Sequence, residues 1–177
     1  VLTHYGLLQI RDQPMEGIKL FISGLKRKLN VSDLVFVIAP RINGAGRMRH
    51  GSKAVKLLLC KDPKDALSIG RAIELFNSER KALDQRITEQ ALNQIVENQE
   101  QNNYSSVVFQ PDWHKGVVGI VASRLIETYY RPTIVFAASG GFFTGSVRSV
   151  KGVDVYQILE SCKDHIEKFG GHRYAAG

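Results

Sequence analysis

The chain has few cysteines, no long apolar run and a single tryptophan among its 177 residues. Its two cysteines, Cys60 and Cys162, are far apart and form no CxxC motif, which argues against a disulfide framework and a zinc site. No run of about 18 apolar residues could cross a bilayer, and the N-terminus lacks the charged and apolar regions of a signal peptide. We therefore expect no membrane association and a cytoplasmic location.

The composition is that of a folded protein. Hydrophobic residues make up 44% of the chain, which is enough to build the core of one or two domains. The sequence begins with Val1 rather than Met, so we expect it to be part of something longer.

Positive charge is concentrated toward the N-terminus. Residues 1–60 hold ten Lys and Arg against three Asp and Glu, residues 61–104 hold six against eight, and residues 105–177 hold eight against six. A basic surface attracts polyanions and favours nucleic-acid binding, although many basic domains bind none.

The first segment predicts short helices and turns. Apolar residues at helical spacing predict a helix near 18–25, which the cations of 26–28 would close, and a second helix is expected over 52–59. Between them, an apolar run at 34–39 is terminated by Pro40 and a predicted Asn43-Gly44 turn. Arg47 follows this turn on a predicted loop. It is either a contact to phosphate or an ordinary surface arginine.

A long amphipathic helix is predicted next. Asp62 is suited to cap it and Pro63 to its first position, and about 35 residues would extend roughly 50 Å. Such a helix suits a connection between two lobes, or alternatively a coiled coil or bundle. Its polar end at 97–103 is expected to fray into a linker.

The last segment predicts an α/β domain. Strands are expected at 106–109, 133–137 and 142–147, with a glycine pair, Gly140 and Gly141, between the last two. Helices are expected over 117–130, 154–161 and 163–169.

Three clusters in this segment are candidates for phosphate binding. His114 lies between a strand and a helix start, beside Trp113, which we expect to be buried in the core. Ser146, Arg148 and Ser149 lie on a strand that a glycine interrupts, which indicates either a bulge, a close approach to the backbone or a plain edge strand. The third cluster is Gly170, Gly171 and His172, at the apparent start of a helix; it favours a phosphate site or a simple turn about equally.

Four motifs occur in a recognisable order: Pro-Arg-Ile-Asn-Gly-Ala-Gly-Arg at 40–47, Trp-His-Lys-Gly-Val-Val-Gly-Ile-Val-Ala-Ser-Arg at 113–124, Gly-Ser-Val-Arg-Ser at 145–149 and Gly-Gly-His at 170–172. With the long helix among them, they resemble the RecJ family of single-strand-specific exonucleases, in the DHH phosphoesterase superfamily. Members usually carry Ala at position 44, so Gly44 is expected to loosen the predicted loop.

The resemblance implies a two-lobe, metal-dependent 5′-to-3′ nuclease for single-stranded DNA that acts in DNA repair and recombination. It implies the C-terminal part of a DHH lobe at 1–60, a connecting helix at 61–104 and a DHH-associated nucleic-acid-binding domain at 105–177. Arg47 would contact substrate phosphate at the inter-lobe cleft. Arg148 and Ser149 would contact the strand backbone, and Gly170, Gly171 and His172 would form a phosphate-binding motif, with Ser146 and His114 as further candidates. The resemblance also suggests a single-strand-binding protein as a partner.

The metal ligands of that family are not recognisable here. The chain contains no Asp-x-Asp, no Asp-His-His and no adjacent histidine pair, and its five histidines are scattered. We therefore expect Mn²⁺ or Mg²⁺ to bind in a DHH lobe outside this sequence, none to bind within it, and the fragment to be inactive by itself. Two alternatives stay open: a phosphodiesterase for oligonucleotides or cyclic dinucleotides, and a nucleic-acid-binding module without chemistry.

Overall fold

The computed structural model describes residues 1–177 and divides into two compact units, Val1–Lys81 and Ala82–Gly177. None of its helices is both long enough and apolar enough to span a membrane.

The first unit is helical. Its elements are α1 (Leu2–Asp12), α2 (Glu16–Ile22), the short α3 (Val31–Asp33), a π-helix (Leu34–Ile38), α4 (Ala39–Met48), α5 (Ser52–Leu59) and the first part of α6 (Pro63–Glu97). Buried apolar side chains from these elements form one core: Ile18, Phe21, Leu29, Ile38, Ala45, Ala54, Leu57, Ala66 and Ile73. The helices predicted over 18–25 and 52–59 correspond to α2 and α5.

The predicted loop at 40–47 is wrong. The π-helix leads directly into α4, and Pro40, which has no N–H to donate, lies where the π-helix passes into the α-helix. Asn43 and Gly44 lie inside this helix rather than in a turn. Gly44 is buried and faces Asn77 of α6, so packing against the unit's core outweighs the local turn signal.

The long helix forms as predicted. The Oδ1 atom of Asp62 accepts hydrogen bonds from the backbone N–H groups of Lys64 and Asp65, at 2.8 and 2.9 Å, which caps the first turn of α6. Four apolar residues of the predicted stripe are fully buried along its length: Ile73, Ile87, Ala91 and Ile95.

The second unit is an α/β domain that includes the C-terminal part of α6. Its elements are β1 (Ser106–Gln110), α7 (Val118–Tyr129), β2 (Thr133–Ser139), β3 (Phe142–Arg148), α8 (Val155–Ser161), a 3₁₀ turn (Lys163–His165), β4 (Gly171–His172) and β5 (Ala175–Ala176). They build a five-stranded sheet of order β1-β2-β3-β5-β4, in which β1 and β2 are parallel and the other pairs antiparallel. The α/β fold expected for this segment is confirmed.

Trp113 belongs to the core, as expected. Its side chain is 3% exposed, and its indole N–H donates to Gln90 Oε1 of α6 at 2.9 Å. A buried indole needs such a partner, because an unpaired N–H would cost desolvation energy.

Arg131 holds the polar segment that follows α6. Arg131 is buried, and its guanidinium donates to the carbonyl oxygens of Glu100, Gln101 and Asn103 and to the Ser106 hydroxyl. These bonds satisfy a charged group that has left water and fix the segment between α6 and β1. Helix α6 ends at Glu97, at the start of the polar stretch that was predicted to end it, and residues 98–105 form the connection to β1.

The helix predicted at 163–169 is also wrong beyond its first turn. Only Lys163–His165 is helical, as a 3₁₀ turn, and the chain then becomes extended at Ile166. The Phe169 ring packs against Tyr156 of α8, with ring centroids 5.5 Å apart. Gly171 and His172 consequently form strand β4 of a hairpin, not the start of a helix.

Candidate nucleic-acid interface

Strand pairing brings Arg148 and His172 onto one face of the sheet. Arg148 of β3 is paired with Ala175 of β5, and Ala175 is paired with His172 of β4. Residues directly opposite one another point to the same face, and neighbouring strands lie about 4.8 Å apart, so the two backbones are separated by roughly 10 Å. Ala175 between them has only a methyl group, which leaves the space between a guanidinium and an imidazole unfilled.

The same face of β3 lies against the start of α7. A Cβ placed on Gly119, in the first turn of α7, would lie 2.9 Å from Arg148 Nη2 and 3.3 Å from Ser146 Oγ. Ser146 and Arg148 are two residues apart and therefore share this face. Only glycine at position 119 lets the guanidinium lie this close to the helix.

The start of α7 is a favourable place for an anion. The first N–H groups of a helix lack intrahelical partners, and the helix dipole places partial positive charge there. A guanidinium and a hydroxyl beside that terminus add charged and neutral donors, a combination that suits a phosphodiester oxygen.

Gly119 is the residue that sequence reasoning missed. It was visible as a glycine in the first turn of an otherwise apolar helix, where alanine would be the stronger helix former. What the sequence does not display is that Ser146 and Arg148 lie opposite it.

The His172 ring is oriented by its own hairpin. Its Nδ1 atom accepts a hydrogen bond from the Tyr174 backbone N–H at 3.3 Å, which leaves Nε2 as the ring nitrogen available to a ligand. The side chain is exposed. An Nε2–H group in this orientation can donate to an anion on the Arg148 face.

The two glycines before His172 have different roles. Gly171 has φ +155°, and a Cβ on it would lie 2.4 Å from the Ala175 carbonyl oxygen, so a side chain cannot fit in the hairpin. Gly170 exchanges two backbone hydrogen bonds with Gly177, at 2.9 and 3.0 Å, and has open space where a Cβ would project. Close packing explains Gly171, whereas a side chain at position 170 would project into open space.

His114 and Ser149 make contacts of their own. The Nδ1 atom of half-buried His114 accepts from the Gly116 N–H at 3.1 Å, in the segment that leads into α7. The Ser149 hydroxyl donates to the Val153 carbonyl at 2.9 Å, and its backbone N–H donates to the Tyr174 carbonyl. Ser149 therefore helps to hold the turn after β3, and a strand contact by its side chain stays a prediction.

Arg47 belongs to the first unit. It is exposed in the last turn of α4, whereas Arg41, one turn and a half earlier, pairs with Glu74 and donates to the Val37 carbonyl. A phosphate contact by Arg47 likewise stays a prediction.

An ion pair fixes α7 against the C-terminal part of α6. Nε and Nη2 of Arg124 donate to the two carboxylate oxygens of Asp84, at 2.8 and 2.9 Å, and only 2% of the Asp84 side chain is exposed. The hydrogen bonds and charge of Asp84 raise the pKa of Arg124. Arg124 is thus charged at every accessible pH, and its bidentate pair holds the helix that presents Gly119.

The residues described form no cluster of metal-ligating side chains. They include no group of three or more His, Cys, Asp or Glu side chains that could hold a metal ion. Two-metal phosphodiester hydrolysis requires such oxygen and nitrogen ligands.

The chain belongs to the DHHA1 domain family, which matches residues 81–177. Over its whole length it is also 36% identical to the single-stranded-DNA-specific exonuclease RecJ of Bacillus subtilis and 37% identical to that of Escherichia coli. The chain spans 23% and 33% of those two relatives. The resemblance to RecJ exonucleases expected from the four motifs is confirmed.

Solved structures agree with this assignment. The crystal structure of RecJ from Thermus thermophilus in complex with Mn²⁺ superimposes with a TM-score of 0.88 at 31% identity, over 99% of this chain and 26% of that one. The Mg²⁺ complex from the same organism gives a TM-score of 0.85 over 97% of this chain and 27% of that one.

Proposed function

We propose that this chain supplies strand binding to a single-strand-specific 5′-to-3′ DNA exonuclease of DNA repair and recombination. The main support is the phosphate site that we call the Arg148 seat, where the Arg148 guanidinium and the Ser146 hydroxyl lie beside Gly119 at the start of α7. The chain that carries this site aligns along its whole length with RecJ exonucleases. Arg148 and Ser146 hold one phosphate of the strand, and His172 donates to the same or the neighbouring phosphate. The open space beside Gly170, where a side chain would project, lets the strand approach the hairpin.

In this proposal, binding and chemistry are divided within a longer protein. The chain spans only 23% and 33% of the two relatives' lengths, and the solved structures of the Thermus thermophilus protein carry Mn²⁺ or Mg²⁺. A divalent metal bound outside these residues activates the hydrolytic water, and the residues described here orient the strand. The 177-residue chain then binds DNA without cutting it. A cytoplasmic location and a single-strand-binding protein as a partner belong to the same proposal.

The test is binding of a fluorescein-labelled oligothymidylate, followed by anisotropy at low and moderate salt. Replacing Arg148 by Ala should weaken binding by about 1.5 to 3 kcal/mol, the usual contribution of a hydrogen bond to a charged group. Arg86→Ala removes one exposed cation from α6 and is the matched control; it should change affinity only through weak long-range charge. The dependence on salt should be shallower in Arg148→Ala, because one phosphate contact is lost.

Equal affinities for Arg148→Ala and Arg86→Ala would contradict the proposed phosphate seat. Release of nucleotides by the purified chain in Mn²⁺ would contradict the proposed division of labour. Tighter binding of a cyclic dinucleotide than of a long single strand would favour a phosphodiesterase for short substrates.

A further inference from the structure

An open cavity of about 540 Å³ lies on the side of the sheet opposite Arg148 and His172. Helix α8 packs on that side, against Val147 and Ala176, whose side chains point away from the Arg148 face. The volume is within the range of sites for small ligands. None of its lining residues takes part in the phosphate seat proposed above.

One stripe of α8 and one arginine form this cavity. Asp154, Gln157, Ile158 and Ser161 recur at helical spacing and line it, together with Gly152, Val153 and Arg173 of the β4–β5 turn. Ile158 is 48% exposed, which is unusual for an isoleucine between polar neighbours and provides an apolar surface inside the cavity.

Arg173 enters this cavity with its donors available. Its guanidinium lies over the Tyr174 ring, 5.7 Å from the ring centroid, and has neither a protein acceptor nor an ion-pair partner. The nearest acid in the lining is Asp154, whose Oδ1 already accepts from the backbone N–H groups of Tyr156 and Gln157. The exposed guanidinium of Arg173 shares the cavity with the apolar side chain of Ile158 and the amide of Gln157. This combination suits an anion that is attached to a flat ring.

The hairpin connects the two sides of the sheet. Strand β4 is the outermost of the five strands in the order β1-β2-β3-β5-β4. His172 points to the Arg148 face, and the next residue, Arg173, lines the cavity on the other face. A polyanionic chain that leaves the His172 face can pass around this edge and meet Arg173 directly.

We infer that the α8 cavity is a second nucleotide subsite, in which Arg173 binds a phosphate and the base lies against Ile158 beside Gln157. The inference rests on the proposed function, because it supposes that a single strand occupies the Arg148 seat. It extends the binding path from one face of the sheet to the other, around its edge.

Strand length distinguishes this subsite from the first one. Arg173→Ala should weaken binding of an eight-residue oligothymidylate about five- to tenfold and leave binding of the dinucleotide pTpT unchanged, because pTpT fills only the Arg148 seat. Arg173→Lys should recover part of the affinity, since lysine keeps the charge but not the planar fork. Arg86→Ala is again the control, and circular dichroism melting should show that all variants fold equally well.

A second measurement does not depend on long strands. Titration of the ¹⁵N-labelled chain with thymidine 3′,5′-bisphosphate should shift the amide signals of Gly152 and the side-chain amide of Gln157, and Arg173→Ala should abolish these shifts. If Arg148→Ala weakens binding but Arg173→Ala changes neither strand affinity nor the shifts, the second subsite is refuted and the proposed function stands. Equal losses for pTpT and the octamer in Arg173→Ala would also refute it, and no effect of Arg148→Ala would refute the proposed function itself.

Discussion

Replacing Gly119 by Ala should separate stability from DNA binding. The new Cβ would lie 2.9 Å from Arg148 Nη2, whereas ordinary contacts begin near 3.4 Å, so the guanidinium must move by about 0.5 Å or more. The atom that must move is the far end of a flexible side chain, so the fold can absorb the change. Alanine also favours the helix over glycine by up to about 1 kcal/mol. We therefore expect the urea midpoint of unfolding to stay the same or to rise slightly.

Binding should respond in the opposite direction. A displacement of about 0.5 Å is enough to spoil a preorganised charged hydrogen bond. Such a bond contributes about 1.5 to 3 kcal/mol, and losing part of it, about 1 kcal/mol, weakens affinity roughly fivefold. Anisotropy with labelled oligothymidylate measures this loss, and chemical denaturation of the same preparation measures stability.

A double-mutant cycle tests whether the effect passes through Arg148. If Gly119 acts only by leaving space for the Arg148 guanidinium, the double variant Gly119→Ala, Arg148→Ala should bind the oligothymidylate no more weakly than Arg148→Ala alone. Additive losses would mean that Gly119 contacts DNA by itself or shapes another part of the surface. Unchanged affinity in the single variant would refute the seat, and a large loss of stability would show that the glycine is there for packing.

Two further predictions concern the first unit. Gly44→Ala should raise the free energy of unfolding by about 0.5 to 1 kcal/mol, because alanine is a better residue than glycine inside a helix such as α4. The added Cβ fits, since it would lie 3.5 Å from Asn77 Oδ1, an ordinary contact distance. A lower urea midpoint would contradict this prediction. The Asp33 carboxylate accepts hydrogen bonds from the Asn30 backbone N–H and from Arg27, and these bonds lower the pKa of Asp33 in the folded chain. The stability that they provide is therefore present at neutral pH. It is lost as the pH falls below about 4, the ordinary value for an aspartate, toward the lower pKa of the folded state. Asp33→Asn should flatten that pH dependence in denaturation curves between about pH 7 and 3.

Periodicity and capping residues predicted much of the fold. The 35-residue helix α6 and its Asp62 cap follow from a 3.6-residue apolar stripe and from local hydrogen bonding, both of which are encoded in neighbouring residues. The strands β1, β2 and β3 follow from short β-branched and aromatic runs bounded by turn residues.

The failures occur where distant contacts outweigh local propensity. Pro40, Asn43 and Gly44 are turn residues by type, yet the core of the first unit buries Gly44 and Ala45 on one face of α4. In the second unit, the contact between Phe169 and Tyr156 and the pairing of β4 with β5 replace the helix that composition predicted at 163–169. The local sequences at 40–47 and 163–169 contain no pattern that predicts these distant contacts.

The candidate site could not be predicted from the sequence for the same reason, because it is assembled from three segments that only the folded sheet brings together. The Arg148 seat needs α7 and β3, but His172 joins it only while the β4–β5 hairpin is docked, and β5 pairs with β3 through just two residue pairs. A strand that touches both Arg148 and His172 binds only the docked state, so by linkage it must stabilise that state. In the proposed function, the glycines that shape the hairpin act on binding by fixing the position of His172.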